Sequence, residues 1–213
     1  TDTSPCALAV NPITNKVYVA NWVGNTVTVI DGESDWNASF PAGSNPFAVA
    51  VNPRTNKAYV ANYESNDVTV VDGSTGGVTT VPAGRSPTSV AVNPVTNKVY
   101  VANYHSNDLT IIDGVTNATT TVSAGVNPVA VAVDMVATKV YVANWSSSDV
   151  TLLHAWDGYH IQLPAGIEPT AVAVNPVTSK VYVVNSGSDS LTVIDGNTNG
   201  TTQVLVDSAA KGV

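Results

Sequence analysis

The feature that most limits what this chain can become is a repeat. "AVNPITNKVYVAN" at 9–21 returns as "AVNPRTNKAYVAN" at 50–62 and again as "AVNPVTNKVYVAN" at 91–103. Pro5, Pro46, Pro87, Pro128 and Pro169 mark the same point in five successive copies, with a period of 41 residues. The register holds without insertion or deletion through residue 209. Self-similarity at such a period is the mark of one supersecondary unit stacked against its own neighbours.

The third copy divides into "TSVAVN" (88–93), "KVYVAN" (98–103), "DLTIID" (108–113) and "ATTTVS" (118–123). These pieces are rich in Val, Ile, Thr and Tyr, and Asn-Pro, Ser-Asn and Asp-Gly turn signals separate them. No stretch keeps a helical period over several turns, so the chain reads as all-β. Four short antiparallel strands every forty residues or so describe a propeller blade. The expected fold is a five-bladed β-propeller in one domain over 1–213, with repeats near 5–45, 46–86, 87–127, 128–168 and 169–209. In each first strand Ala9, Ala50, Ala91, Ala132 and Ala173 alternate with Val10, Val51, Val92, Val133 and Val174. Successive residues face opposite sides, so small residues of one blade can meet large ones of the next. Tyr18, Tyr59, Tyr100, Tyr141 and Tyr182 are expected to fill the wider wedge between blades.

The phrase "VNPxTNKVYVAN" followed by "VTVIDG" resembles the YVTN-type β-propeller repeat, over essentially the whole chain. That resemblance implies a secreted or cell-surface protein of bacterial or archaeal origin. Related seven-bladed propellers include lactonases, lyases and quinoprotein dehydrogenase subunits, whereas this chain carries five copies.

Eight basic side chains against sixteen acidic ones give a net charge of −8. Nucleic acid and anionic lipid need clustered Lys and Arg, so both are disfavoured as partners. Apolar runs are short and broken by Asn, Pro and Thr, which excludes a membrane-spanning helix. The single cysteine, Cys6, cannot form an intrachain disulfide.

Two sets of polar residues recur. At one end of each blade, counting back from the intervening loop places Lys16, Lys57, Lys98 and Lys180 opposite Asp31, Asp72, Asp113 and Asp195. Cross-strand ion pairs are expected there. At the other end lie "NWVGNT" (21–26), "NYESND" (62–67), "NYHSND" (103–108), "NWSSSD" (144–149) and "NSGSDS" (185–190). Asn21, Asn62, Asn103 and Asn144 are turn residues that also stand as ligand contacts. Each is followed by an aromatic, Trp22, Tyr63, Tyr104 or Trp145, with an apolar body and a polar tip suited to stacking on sugar rings or other planar ligands. The alternative is a hydrophobic lid over the blade ends. Glu64, Asp67, Asp108, Asp149, Glu168 and Asp189 make this end acidic against Arg85 alone, which favours neutral polar ligands or cations. Asp67, Asp108 and Asp149 are the candidate oxygen ligands of a divalent cation.

The exceptions to the repeat carry the remaining candidates. Blade four replaces "IIDG" with "LLHAWDGYH" (152–160), where His154, Trp156, Asp157, Tyr159 and His160 read as drift or a contact surface. At the aromatic end, His105 with Glu64 and Glu168 could serve general acid–base work or hold a metal. No Ser-His-Asp order, phosphate loop or HExxH accompanies them. The leading expectation is a binding module whose ligand, a small molecule or glycan, meets Trp22, Tyr63, Tyr104, Trp145 and Arg85. A metal-assisted lactonase-like hydrolase or lyase and a purely structural surface module are the alternatives. The repeats are also expected to close as a monomer through face packing, with "LVDSAAKGV" at 205–213 assisting.

Overall fold

A computed structural model describes residues 3–206; the segment 207–213, assigned above to the seam, lies outside the described residues. The described residues form twenty strands and no helix. They build five antiparallel sheets of four strands, each laid out in chain order. Blade 1 comprises Pro5–Asn11, Lys16–Asn21, Thr26–Asp31 and Asn37–Pro41. Blades 2 to 5 repeat that pattern over 46–82, 87–123, 128–164 and 169–205. The chain divides into two compact units, Thr1–Thr121 and Val122–Val213, with the boundary inside the last strand of blade 3.

The turns explain the composition of the repeat. Each turn holds one residue in the left-handed region, and Asn is the commonest there: Asn15, Asn25, Asn56, Asn66, Asn97 and Asn107 have φ between 52° and 61°. Asn tolerates this region better than other residues with a Cβ because its short amide bonds the local backbone. Thr138, where blade 4 departs from the repeat, has φ 53°. A β-branched residue is strained there.

Within the first unit, the tyrosine face of one blade packs on the valine face of the next. Tyr18, Ala20, Val27 and Val29 of blade 1 meet Ala58, Val60 and Val71 of blade 2. Tyr59, Ala61, Val68 and Val70 of blade 2 meet Val99, Val101 and Ile112 of blade 3. The second unit repeats the arrangement, with Tyr141, Ala143, Val150 and Leu152 against Val181, Val183 and Ile194. Tyr18, Tyr59, Tyr100 and Tyr141 are at most 1% exposed, as the wedge argument requires, while Tyr182 is half-buried. Burial pushes the hydroxyls of Tyr59, Tyr100 and Tyr141 up to about 12. On blade 1 the valine face is open: Leu8 is 66% and Val10 50% exposed.

The Lys–Asp register is as expected, since Lys16, Lys57, Lys98 and Lys180 pair across the strands with Asp31, Asp72, Asp113 and Asp195. Contact follows only in part. Lys98 Nζ reaches Asp113 at 2.9 Å and Lys180 Nζ lies 3.7 Å from Asp195. Lys16 and Lys57 turn instead to the next blade and donate to the carbonyls of Gly73 and Gly114. All four Asp also cap their own hairpins, the two that pair with Lys included. Asp72 Oδ1, for example, accepts the amides of Ser74 and Thr75 at 2.8 and 3.0 Å.

Candidate functional site

The aromatic end of each blade is built on a buried asparagine. Asn62 Nδ2 donates to Asp67 Oδ1 at 2.6 Å and to Thr69 Oγ1 at 2.9 Å. Asn103 does the same to Asp108 and Thr110, and Asn144 to Asp149 and Thr151. In blade 1, Asn21 reaches Thr26 and Thr28. The threonine hydroxyl in turn accepts the amide of a linker glycine, Gly43 to Thr69, Gly84 to Thr110 and Gly125 to Thr151, each at 3.1 Å. Asn21, Asn62, Asn103 and Asn144 are 3% exposed or less. They therefore hold the loops in place from beneath, and no ligand reaches them without opening the network.

The same network engages the acidic candidates. Asp67, Asp108 and Asp149 each give one carboxylate oxygen to their asparagine. Among the described residues, no three His, Cys, Asp or Glu side chains converge as a metal would need. These aspartates act in loop construction.

What the network presents is a row of aromatics. The amide of the residue after each asparagine donates to a linker carbonyl: Trp22 to Ser4, Tyr63 to Asn45, Tyr104 to Ser86, and Trp145 to Asn127. Those linker residues are left-handed, with φ of 55° to 59°. This clamp fixes where the aromatic leaves the backbone. In the first unit Trp22 lies 5.8 Å from Tyr63, and Phe47 sits 5.5 Å from Trp22 and 6.2 Å from Tyr63. His105 continues the row, edge-on to Tyr63 at 6.2 Å and to Tyr104 at 4.9 Å. These separations are those of interacting aromatic pairs. Trp22, Tyr63 and Tyr104 are half-buried, Phe47 is 43% exposed and His105 is exposed. The result is a continuous shelf with one side open to solvent.

Phe47 was not among the sequence candidates. It stands second in its strand, where the other copies carry Cys6, Thr88, Val129 and Thr170. A single aromatic at a variable position of the repeat was the available signal. In the second unit, Trp145 is half-buried at the equivalent place to Trp22.

The proposed acid–base group is rearranged. His105 Nδ1 shares a hydrogen bond with Ser86 Oγ at 2.9 Å and packs against Tyr63 and Tyr104. Glu64 is exposed, and its carbonyl accepts the side-chain amide of Asn66. Glu168 is a left-handed linker residue whose carbonyl accepts Ser186 Oγ. Arg85 is exposed, with its backbone amide on Ser106 Oγ at 2.9 Å. In blade 4, His154 packs edge-on to Tyr159, and His160 shares a hydrogen bond with Ser123.

No protein-family model matches the chain, nor does any curated protein. Among solved structures it resembles hydrazine synthase of Kuenenia stuttgartiensis, with a TM-score of 0.82 and 18% identity over 97% of this chain and 68% of that one. The fold is propeller-like, with five blades. A functionally unknown protein from Desulfotomaculum acetoxidans gives 0.79 at 14% identity, covering 97% of this chain and 70% of that one. A chain of a nidogen–laminin complex gives 0.72 at 11% identity, covering 96% and 81%. At these identities the likeness is one of fold alone.

Proposed function

We propose that the protein is a binding module whose shelf of Trp22, Phe47, Tyr63, Tyr104 and His105 receives the apolar faces of a glycan. The observation that carries this reading is the shelf itself: successive aromatics 4.9 to 6.2 Å apart, partly open to solvent and clamped from behind. Rigid aromatics lose little conformational freedom when a ring stacks on them, so a pre-built shelf lowers the entropic cost of binding. Exposed Glu64 and Arg85 beside it offer polar partners for hydroxyl groups. In this reading the YVTN-like repeat is scaffold, and the protein works at the cell surface or outside the cell.

A glycan array followed by calorimetry tests the proposal. The expected result is a carbohydrate ligand whose affinity falls about fivefold to tenfold in Trp22→Ala, in line with the loss of a stacking partner worth about 1–1.4 kcal/mol. Absence of carbohydrate binding, or binding that Trp22→Ala and Tyr63→Ala both leave unchanged, would refute it.

A further inference from the structure

A second site lies at the opposite end of the blades, where the outer hairpin of blade 1 meets that of blade 2. A groove of about 230 Å³ opens there between Trp36 and Phe40 of blade 1 and the turn Asp72–Gly76 of blade 2, with Lys16 at its edge. Trp36 is 61% exposed. The sequence reason is an exception to the repeat. At the position of Trp36 the other blades carry Gly77, Ala118, Tyr159 and Gly200, and at that of Phe40 they carry Val81, Val122, Leu163 and Val204. The opposing turn is correspondingly small: Gly76 has φ 74°, and a side chain there would meet Phe40 at 3.0 Å.

The next seam supplies an internal comparison. A groove of about 220 Å³ recurs between blades 2 and 3, lined by Lys57, Val70, Asp72, Thr75, Gly77 and Asn117 among others, so Asp72 borders both grooves, and no aromatic takes part in the second. The recess therefore belongs to the repeat, while its furnishing with two aromatic rings belongs to blade 1.

The polar groups around the aromatic recess decide what fits. Lys57, across the strand from Asp72, is drawn away to Gly114, and the ion pairs found among the described residues involve Asp113 and Asp195. Among the described residues Asp72 makes no ion pair at contact distance, and its carboxyl is held below the usual carboxylate range by the amides of Ser74 and Thr75, the Thr75 hydroxyl and the more distant charge of Lys57. Ser74 Oγ accepts from Asn56 Nδ2 and keeps its own proton to donate, whereas the Thr75 hydroxyl, which accepts from the Gly77 amide, is already engaged by the Asp72 carboxylate. The Lys16 ammonium already donates to Gly73. The recess offers a flat apolar wall, one strong acceptor and one hydroxyl donor. Its volume is below the roughly 300–1,000 Å³ of a drug-sized pocket, which suits a single ring.

We propose that this groove binds one neutral hexopyranose ring, its C–H face on Trp36 and its hydroxyls on Asp72 and Ser74. An anionic sugar would meet the Asp72 carboxylate and is rejected. The site is independent of the shelf bearing Trp22.

The test is a proton–nitrogen NMR titration of the isotope-labelled 213-residue chain. The probes are the methyl glycosides of glucose, galactose, mannose and N-acetylglucosamine, with methyl glucuronide as the charged control. At least one neutral glycoside should move the Trp36 indole resonance and the Ser74, Thr75 and Gly76 amides saturably. Trp36→Ala should weaken that binding about tenfold, Trp36→Phe less, and Trp22→Ala not at all. Asp72→Asn keeps an oxygen for the turn amides and should weaken binding as well. If none of the neutral glycosides moves these resonances, if Trp36→Ala changes nothing, or if the glucuronide binds as well as glucoside, the assignment is wrong. Failure of the shelf would show instead in Trp22→Ala, so the two readings fail separately.

Discussion

Gly84 sits where the linker into blade 3 crosses the network that carries Tyr104 and His105. A Cβ at this position would lie 2.5 Å from Asp108 Oδ1 and 2.6 Å from Asn103 Nδ2, and closer still to Ser106 Oγ. Ordinary Cβ contacts begin near 3.4 Å. Gly84→Ala must therefore push the linker and the loop apart by roughly 1 Å, an overpacking that costs about 1–3 kcal/mol. Separating Asn103 from Asp108 breaks a hydrogen bond to a charged group, worth about 1.5–3 kcal/mol. The two effects share atoms and do not add fully. We expect a loss of about 3 kcal/mol, which for a chain of this size lowers Tm by roughly 6–12 °C. The assay is urea denaturation followed by circular dichroism, with Gly200→Ala as control. Around Gly200 the one neighbour within 4 Å is Thr198 Oγ1 at 3.3 Å, so that substitution should stay within about 0.5 kcal/mol. Equal stability of the two variants would refute the view that the linker glycines are required by the asparagine network.

Three further outcomes follow from particular residues. Asp134 is fully buried where other blades carry Asn11, Asn52, Asn93 and Asn175; its Oδ1 accepts the amides of Val136 and Ala137, and its Oδ2 has no partner among the described residues. Asp134→Asn keeps the turn and removes a buried charge, so it should stabilise the fold by about 1–2 kcal/mol at neutral pH, read from a denaturation midpoint. Because burial raises the folded-state values of Tyr59, Tyr100 and Tyr141 to about 12, their contribution is intact below the unfolded value near 10 and is lost as pH rises towards about 12. An ultraviolet titration should show these three ionising late and together with unfolding; ionisation near pH 10 in the native state would contradict this. Leu8 and Val10 on the valine face of blade 1, at 66% and 50% exposed, stand where blades 2 and 3 carry half-buried Val49, Val51, Val90 and Val92, and Val184 on blade 5, at 46%, stands where the other blades carry buried Ala20, Ala61, Ala102 and Ala143. Light scattering should therefore show concentration-dependent self-association above the 21.9 kDa monomer, reduced by Leu8→Lys; a strict monomer at all concentrations would support the sequence expectation instead.

The 41-residue period, the four strands of each blade, the Asp-Gly and Asn turns and the Lys–Asp register could all be read from the sequence. They are local: a strand alternates every two residues and a turn needs a residue that tolerates its φ, so each leaves its mark within a few positions. Five copies then average out the ambiguity of any one. The partners of side chains were decided by the tertiary structure. Lys16 and Lys57 chose a carbonyl on the next blade over the aspartate across the strand. Asp67, Asp108 and Asp149 look like metal ligands along the chain but are bonded by buried asparagines. Phe47 joined Trp22 and Tyr63 from sixteen or more positions away, and Trp36 found its recess in the glycines of the following blade. These contacts arise between neighbouring blades, where the distance between two atoms depends on how whole sheets pack. The sequence determined the blade, and the packing of one blade on the next determined which of its side chains remain free to bind.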